Sequence, residues 1–145
     1  MKAVIQRVTY AKVNVDNKDI ASIDHGIAAL IGLEPFDTFE NSKKLIDKMI
    51  KLRIFSDDKD HMNLSLCDIE GDLLLISQFT LAGSTKRGLR PSFDGAMRPD
   101  EASVLFAKLV EYAKEKYPKV QQGQFGADMK VSLLNDGPVT FILEA

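Results

Sequence analysis

The chain has 145 residues, enough for one domain with a core of its own. Its net charge of −2, with 45% hydrophobic and 28% charged residues, excludes a polyelectrolyte partner for nucleic acid. Any RNA or DNA contact must come from a local basic patch. Cys67 is the only cysteine, so there is no internal disulfide, and it reads as a small buried side chain. Lys2, Gln6 and Arg7 stand where a secretion signal needs an apolar run. The longest uncharged apolar stretch, Ile27 to Leu33, is too short to span a bilayer. We therefore expect a soluble cytoplasmic protein with no membrane partner, folded as a single domain over residues 1–145.

From Ala3 to Val15 the pattern predicts two short strands or one bent strand, with Val13 and Val15 alternating against Lys12 and Asn14. Asp16 to Asp19 is a polar turn, Ile20 to Ile23 resumes extended structure, and Ile27 to Leu33 suits a strand buried on both faces. Pro35 breaks that run. Asp37 followed by Glu40 reads as a capping box opening an amphipathic helix from Thr38 to about Arg53. Ile54-Phe55 and Leu64 to Leu66 read as short, weak strands around a charged loop. Leu73 to Ile76 is a second buried strand and runs directly into Ser77-Gln78-Phe79-Thr80-Leu81.

Ala82 to Met97 is irregular, interrupted by Gly83, Gly88, Pro91 and Gly95. Pro99 suits the first turn of a second helix, which Pro118 stops. A loop with Gly123 and Gly126 follows. Met129 to Leu133 and Val139 to Leu143 alternate as two last strands, joined at Asn135-Asp136-Gly137-Pro138-Val139-Thr140. Locally that joint reads as a hairpin turn, or as a turn that projects backbone atoms into a site. About eight strands and two long helices predict an α+β fold with a curved, largely antiparallel sheet or barrel.

The two histidines, His25 and His61, lie in polar turns with no nucleophile motif beside them. Asp57, Asp58, Asp60 and His61 cluster without the spacing of a calcium or zinc site. Ser77 to Thr80 is more informative, because polar residues surround Phe79 where a buried strand ends. Three readings fit it. Thr80 is a nucleophile lacking an adjacent base, or the N–H groups of Phe79 and Thr80 hold a developing oxyanion, or this is a plain polar strand end. The next loop is basic: Lys86, Arg87, Arg90 and Arg98 face only Asp94, a local +3 suited to a phosphate backbone.

Taken together, Ser77-Gln78-Phe79-Thr80-Leu81 and Asn135-Asp136-Gly137-Pro138-Val139-Thr140 resemble the paired signature motifs of the D-aminoacyl-tRNA deacylase (D-Tyr-tRNA deacylase) family. The resemblance extends over Ile5-Gln6-Arg7-Val8, Arg53 to Asp57, Met62-Asn63-Leu64, Arg87 to Phe93, and Ala127-Asp128-Met129. It implies a cytoplasmic homodimer that hydrolyses the ester of D-aminoacyl-tRNA, and of mischarged glycyl-tRNA, with no metal or organic cofactor. Ser77, Gln78, Phe79 and Thr80 would line the pocket for the aminoacyl ester and the 3′-terminal adenosine. Gly137-Pro138, in a cis bond, would enter the other subunit's pocket, where its carbonyls leave no room for an L side chain. Asn135, Val139 and Thr140 would complete that loop and Arg7 would buttress it. Two further classes remain: a dimeric RNA-binding module without turnover, and a general small-ester hydrolase.

Overall fold

The computed structural model describes residues 1–145. Its frame is one long strand, β1 (Lys2–Val15), paired on both edges. On one edge lie two shorter antiparallel partners. β2 (Lys18–Ile23) pairs with Ala11–Val15, and β3 (Gly26–Gly32) pairs with Lys2–Val8. The β1–β2 turn is tight because Asp16 and Asn17 both take positive φ, 51° and 63°, which matches the twist of the flanking strands. The other edge is covered almost throughout by the last strand, β8 (Lys130–Glu144).

Two helices cross between parallel strands. α1 (Phe39–Lys51) lies between β3 and β6 (Asp72–Ser77), and α2 (Pro99–Lys116) between β6 and β7 (Val120–Gln122). β4 (Phe55–Ser56) and β5 (Met62–Leu64) form a separate small hairpin. The result is the expected α+β fold: a strongly curved, mixed sheet nearly closed into a barrel, with two helices on its outer face. No helix is long and apolar enough to cross a membrane.

Two cores explain the continuous apolar runs. Ile27, Ala29, Ile31, Leu73 and Leu75 face both helices, meeting Leu45, Ile46 and Met49 of α1 and Phe106, Leu109 and Val110 of α2. Ala28, Leu74 and Ile76 face the other way, into the curved sheet, against Val8, Ala11, Val13 and Ile23. β3 from Ile27 to Ile31 and β6 from Leu73 to Ile76 are apolar at every position because both of their faces are dry. β1 serves both cores. Ala3 and Ile5 point to the helices, whereas Ala11, Val13 and Val15, also odd-numbered, point into the barrel. A bulge between Val8 and Tyr10 shifts the side-chain phase by one residue and makes this exchange of faces possible.

Several local expectations change. The cap of α1 is Thr38, not Asp37. Asn41 N–H donates to Thr38 Oγ1, and Asn41 Oδ1 accepts from the Thr38 N–H. Asp37 instead accepts from the Glu34 N–H at 2.7 Å and pairs with the terminal ammonium. Cys67 is exposed rather than buried, on the turn between β5 and β6. β7 forms where the pattern predicts a loop, and β3, β6 and β7 run parallel within a sheet expected to be largely antiparallel. The largest correction concerns Asn135–Thr140. It is not a hairpin turn, because the chain does not reverse there. The segments before and after it pair with the same edge of β1 and run in one direction.

If β6 is buried on both faces, neighbouring truncations must be equally harmful. Leu74→Ala and Leu75→Ala should each lower unfolding stability by about 2–5 kcal/mol in urea titration. A near-neutral result for either would mean that one face of β6 is not packed.

Candidate active site

The site residues expected from the sequence fall into two groups. The first is at the C-terminal end of β6. Ser77 pairs with Ile31, the Gln78 N–H extends the ladder by donating to Ile31 O at 2.7 Å, and Phe79–Ala82 then form one short 3₁₀ turn. As the opening residues of that turn, Phe79 and Thr80 have N–H groups that donate to no acceptor in the chain. Gln78 Nε2 donates to Thr80 Oγ1 at 2.7 Å. The Phe79 ring is 58% exposed and meets Phe93 edge to face, with centroids 5.0 Å apart.

Ser77, Gln78, Phe79 and Phe93, but not Thr80, border a cavity of about 670 Å³. Ile31, Leu33 and Ile76 come from the strand ends, Ser77, Gln78 and Phe79 from the β6 terminus, and Met97, Pro99 and Ala102 from the start of α2. Phe125, Gly126, Ala127, Asp128, Met129 and Val131 close the remaining side. The lining is mainly apolar with polar groups at one edge, the usual composition of a small-molecule site. Strand ends at which crossover helices begin are where open α/β sheets bind ligands.

The second group is the loop inside β8. Between Gln6 and Val8, β1 advances two residues, while β8 advances five, from Asn135 to Thr140. The three surplus residues are looped out opposite Arg7. Each end of the loop is fixed. Val139 is buried and its N–H donates to Asn135 Oδ1 at 2.7 Å. Thr140 Oγ1 accepts from Asn135 Nδ2 at 2.9 Å and Gln6 Nε2 at 3.3 Å.

Arg7, only 9% exposed, lies beneath the loop. Its Nε donates to Asp136 O at 2.9 Å and its Nη1 to Ile54 O at 2.8 Å, with the Asp136 carboxylate 3.5 Å from Nε. Gly137 and Pro138, joined by a cis peptide, form the exposed tip. Gly137 has φ +136°, and a Cβ there would lie 2.7 Å from Val139 Cγ2 and 3.1 Å from Arg7 Nη2, so no larger residue fits.

One chain does not bring the two groups together. Ser77 is level with Ile31 and therefore with Ala3, whereas the loop is opposite Arg7. That separation is about 13 Å along the strands and three strand spacings, about 14 Å, across them. From Ser77 the chain continues away from the loop. Neither Arg7 nor any residue from Asn135 to Thr140 borders the cavity.

Neither histidine is near it. His25 packs edge to face on Phe55, and His61 is exposed. Asp57 accepts from the His61 and Lys59 N–H groups, and these bonds, His61's foremost, hold its carboxyl below the usual aspartate range. The acidic loop is thus a self-capped turn, and no group of three His, Cys, Asp or Glu side chains is placed to hold a metal. The wall from Phe125 to Met129 escaped the sequence reading as a site element. Its signals were the glycine-bearing loop that precedes β8 and Ala127-Asp128-Met129 within the family resemblance, neither of which assigns it to the site.

An apolar cavity bordered by main-chain donors, without a histidine or a metal cluster, defines a small α+β protein whose site is built largely from backbone. The sequence profile described as D-Tyr-tRNA(Tyr) deacylase matches residues 4–144. A Pseudomonas aeruginosa (strain LESB58) protein named D-aminoacyl-tRNA deacylase is 50% identical over 145 residues, covering 100% of both chains. A solved structure described as c-Myc DNA Unwinding Element Binding Protein superposes with a TM-score of 0.95 at 37% identity, covering 100% of this chain and 99% of that one. Another, described as a probable eukaryotic D-amino acid tRNA deacylase, shares the fold with a TM-score of 0.85 at 17% identity over 99% and 98% of the chains. This chain belongs to the D-Tyr-tRNA(Tyr) deacylase family and is a deacylase.

Arg7 ties the loop to Ile54 with a fork that a lysine cannot reproduce. Arg7→Lys should therefore cost about 2 kcal/mol of unfolding stability. An unchanged urea midpoint would mean that strand register alone holds the loop.

Proposed function

We propose that the chain hydrolyses the ester joining a D-amino acid, or glycine, to the 3′-terminal adenosine of tRNA, releasing the free amino acid and intact tRNA. The aminoacyl-adenosine end occupies the apolar cavity, with Ser77, Gln78, Phe79 and Thr80 along its reacting edge. The Gly137-Pro138 tip of a second copy of the chain closes that cavity, and its carbonyls exclude an L side chain. The observation that carries this reading is a separation within one chain. A braced, exposed main-chain tip is built on β8 at a distance from any cavity of its own, so it serves a pocket on another copy.

Steric exclusion by backbone suits discrimination between enantiomers, because its position does not depend on a rotamer. A clash worth about 4 kcal/mol corresponds to roughly a thousandfold preference. In the reaction, water adds to the ester carbonyl carbon. The oxyanion forms opposite the free N–H groups of Phe79 and Thr80, and one such donor is worth about 3 kcal/mol in other enzymes. The neighbouring ribose 2′-OH orients the water, and its proton leaves with the 3′ oxygen of adenosine as the C–O bond breaks. Thr80 as nucleophile fits less well. Its hydroxyl is bonded to the Gln78 amide, which does not take up a proton.

Two measurements test the chemistry. With matched D-aminoacyl-, L-aminoacyl- and glycyl-tRNA, the D and glycyl esters should be cleaved and the L ester spared. A terminal 2′-deoxyadenosine should reduce cleavage of the D ester at least a hundredfold. Full turnover of that deoxy substrate would remove the RNA-assisted mechanism. Separately, Thr80→Ala should keep single-turnover rates within about fivefold of the original, because the main-chain donor survives the change. Complete loss, with an aminoacyl-enzyme trapped in the unsubstituted protein, would reinstate Thr80 as nucleophile.

A further inference from the structure

Apart from Phe93, the segment after the 3₁₀ turn plays no part in the core or in the chemistry described above. Residues 84–95 are all exposed. Their root is pinned by an isolated two-bond bridge: the Ser84 N–H donates to Ser92 O at 2.7 Å, and the Ser92 N–H to Ser84 O at 2.9 Å. Between these bonds, Thr85 to Pro91 project as a closed arm. Gly88 supplies the φ of +65° needed at its tip, with nothing within 4 Å of where a Cβ would stand.

The arm carries Lys86, Arg87 and Arg90. None of the three forms an ion pair, and no side chain among them makes a hydrogen bond. By contrast, Arg98 has Asp100 within 3.3 Å. The whole chain is −2 and the stretch from Leu81 to Pro99 is +3, so the remainder carries −5. In a protein with an acidic balance, three unpaired cations thus stand together within five residues on one projection. Unpaired, fully hydrated cations on an exposed loop do not stabilise the fold, but they are suited to a polyanion.

The position of the arm identifies the ligand. Phe93, one residue past the bridge, lines the cavity and packs against Phe79. The base of the arm therefore stands at the rim of the cavity, next to a chain whose end lies in it. We propose that Lys86, Arg87 and Arg90 bind the phosphate backbone of the substrate RNA beside its aminoacylated end. This inference rests on the deacylase reading above and assigns the recognition of RNA, as distinct from the ester, to this arm. The arm is about 10 Å long at strand rise, which corresponds to about three phosphates along one strand of a duplex. Phosphate contacts carry no base sequence, so the arm favours RNA over a free nucleoside ester without choosing among tRNAs.

The test compares the unsubstituted protein with Lys86→Ser/Arg87→Ser/Arg90→Ser, and with Lys86→Arg/Arg87→Lys/Arg90→Lys, which keeps the charge. Two substrates are used, D-aminoacyl-tRNA and the D-aminoacyl ester of adenosine alone. Because the three side chains pack against nothing, both variants should fold. The serine variant should lose about thirtyfold in kcat/KM on D-aminoacyl-tRNA, carried by KM, and nothing on the nucleoside ester. Its plot of log kcat/KM against log salt should be shallower by about 2. The charge-keeping variant should match the unsubstituted protein on both counts. Equal losses on the two substrates, or an unchanged salt slope, would overturn the assignment. Binding of uncharged tRNA, measured with the same variants and salt series, reads the arm without any turnover. A protein that binds tRNA through the arm but cleaves neither ester would tell against the deacylase reading alone.

Discussion

The pairing of β8 with β1 is the constraint on which the rest depends. β1 reaches from the helix-covered core to the barrel interior, and β8 follows it along nearly its whole length. Register is fixed on both sides of the loop: Thr140 opposite Gln6, and Asn135 opposite Val8. The surplus residues therefore have one place to go, outward above Arg7. Arg7 is tolerated at 9% exposure because two main-chain carbonyls and a carboxylate surround its guanidinium. Removing that side chain would leave both carbonyls without their donor in a mostly buried position, a costlier change than losing a surface ion pair.

The cavity depends on a different feature of the sheet. β3 and β6 are parallel and buried on both faces, so their ends are the first places where polar groups meet solvent. α2 begins beside those ends, and the segment leading into β8 closes the far side. The short turn that follows β6 leaves two N–H groups uncommitted at this edge. Rigid strands thus position donors that no flexible side chain has to supply, consistent with a site that lacks a nearby histidine.

Much of the fold was legible because the dominant signals were periodic. α1 and α2 showed their apolar stripes, and the runs at Ile27–Leu33 and Leu73–Ile76 identified the two-faced strands. Asn135–Thr140 was misread for a physical reason. Asn, Asp, Gly and Pro suit irregular backbone in a hairpin and in a looped-out bulge alike. What distinguishes the two is the partner strand, more than 120 residues away in sequence. The parallel sense of β3, β6 and β7 was likewise not local information. Within the site, Ser77–Thr80 and Gly137-Pro138 were found through their joint motif. The wall at Phe125–Met129 includes Ala127-Asp128-Met129 of the family resemblance, but its place in the site follows from packing across the cavity. Cys67 failed as a buried residue because a lone thiol carries no periodicity to place it.

The looped-out segment also bears on how such a chain can change over generations. In an ordinary strand, inserting or deleting one residue turns every later side chain to the opposite face. Here the two halves of β8 are registered on β1 independently, and the loop between them absorbs the difference in length. Val139 and Leu143 can keep their buried positions while the tip lengthens or shortens. Insertions that would be ruinous elsewhere in the sheet are thus confined to reshaping the tip, where variation can be sampled without first rebuilding the core.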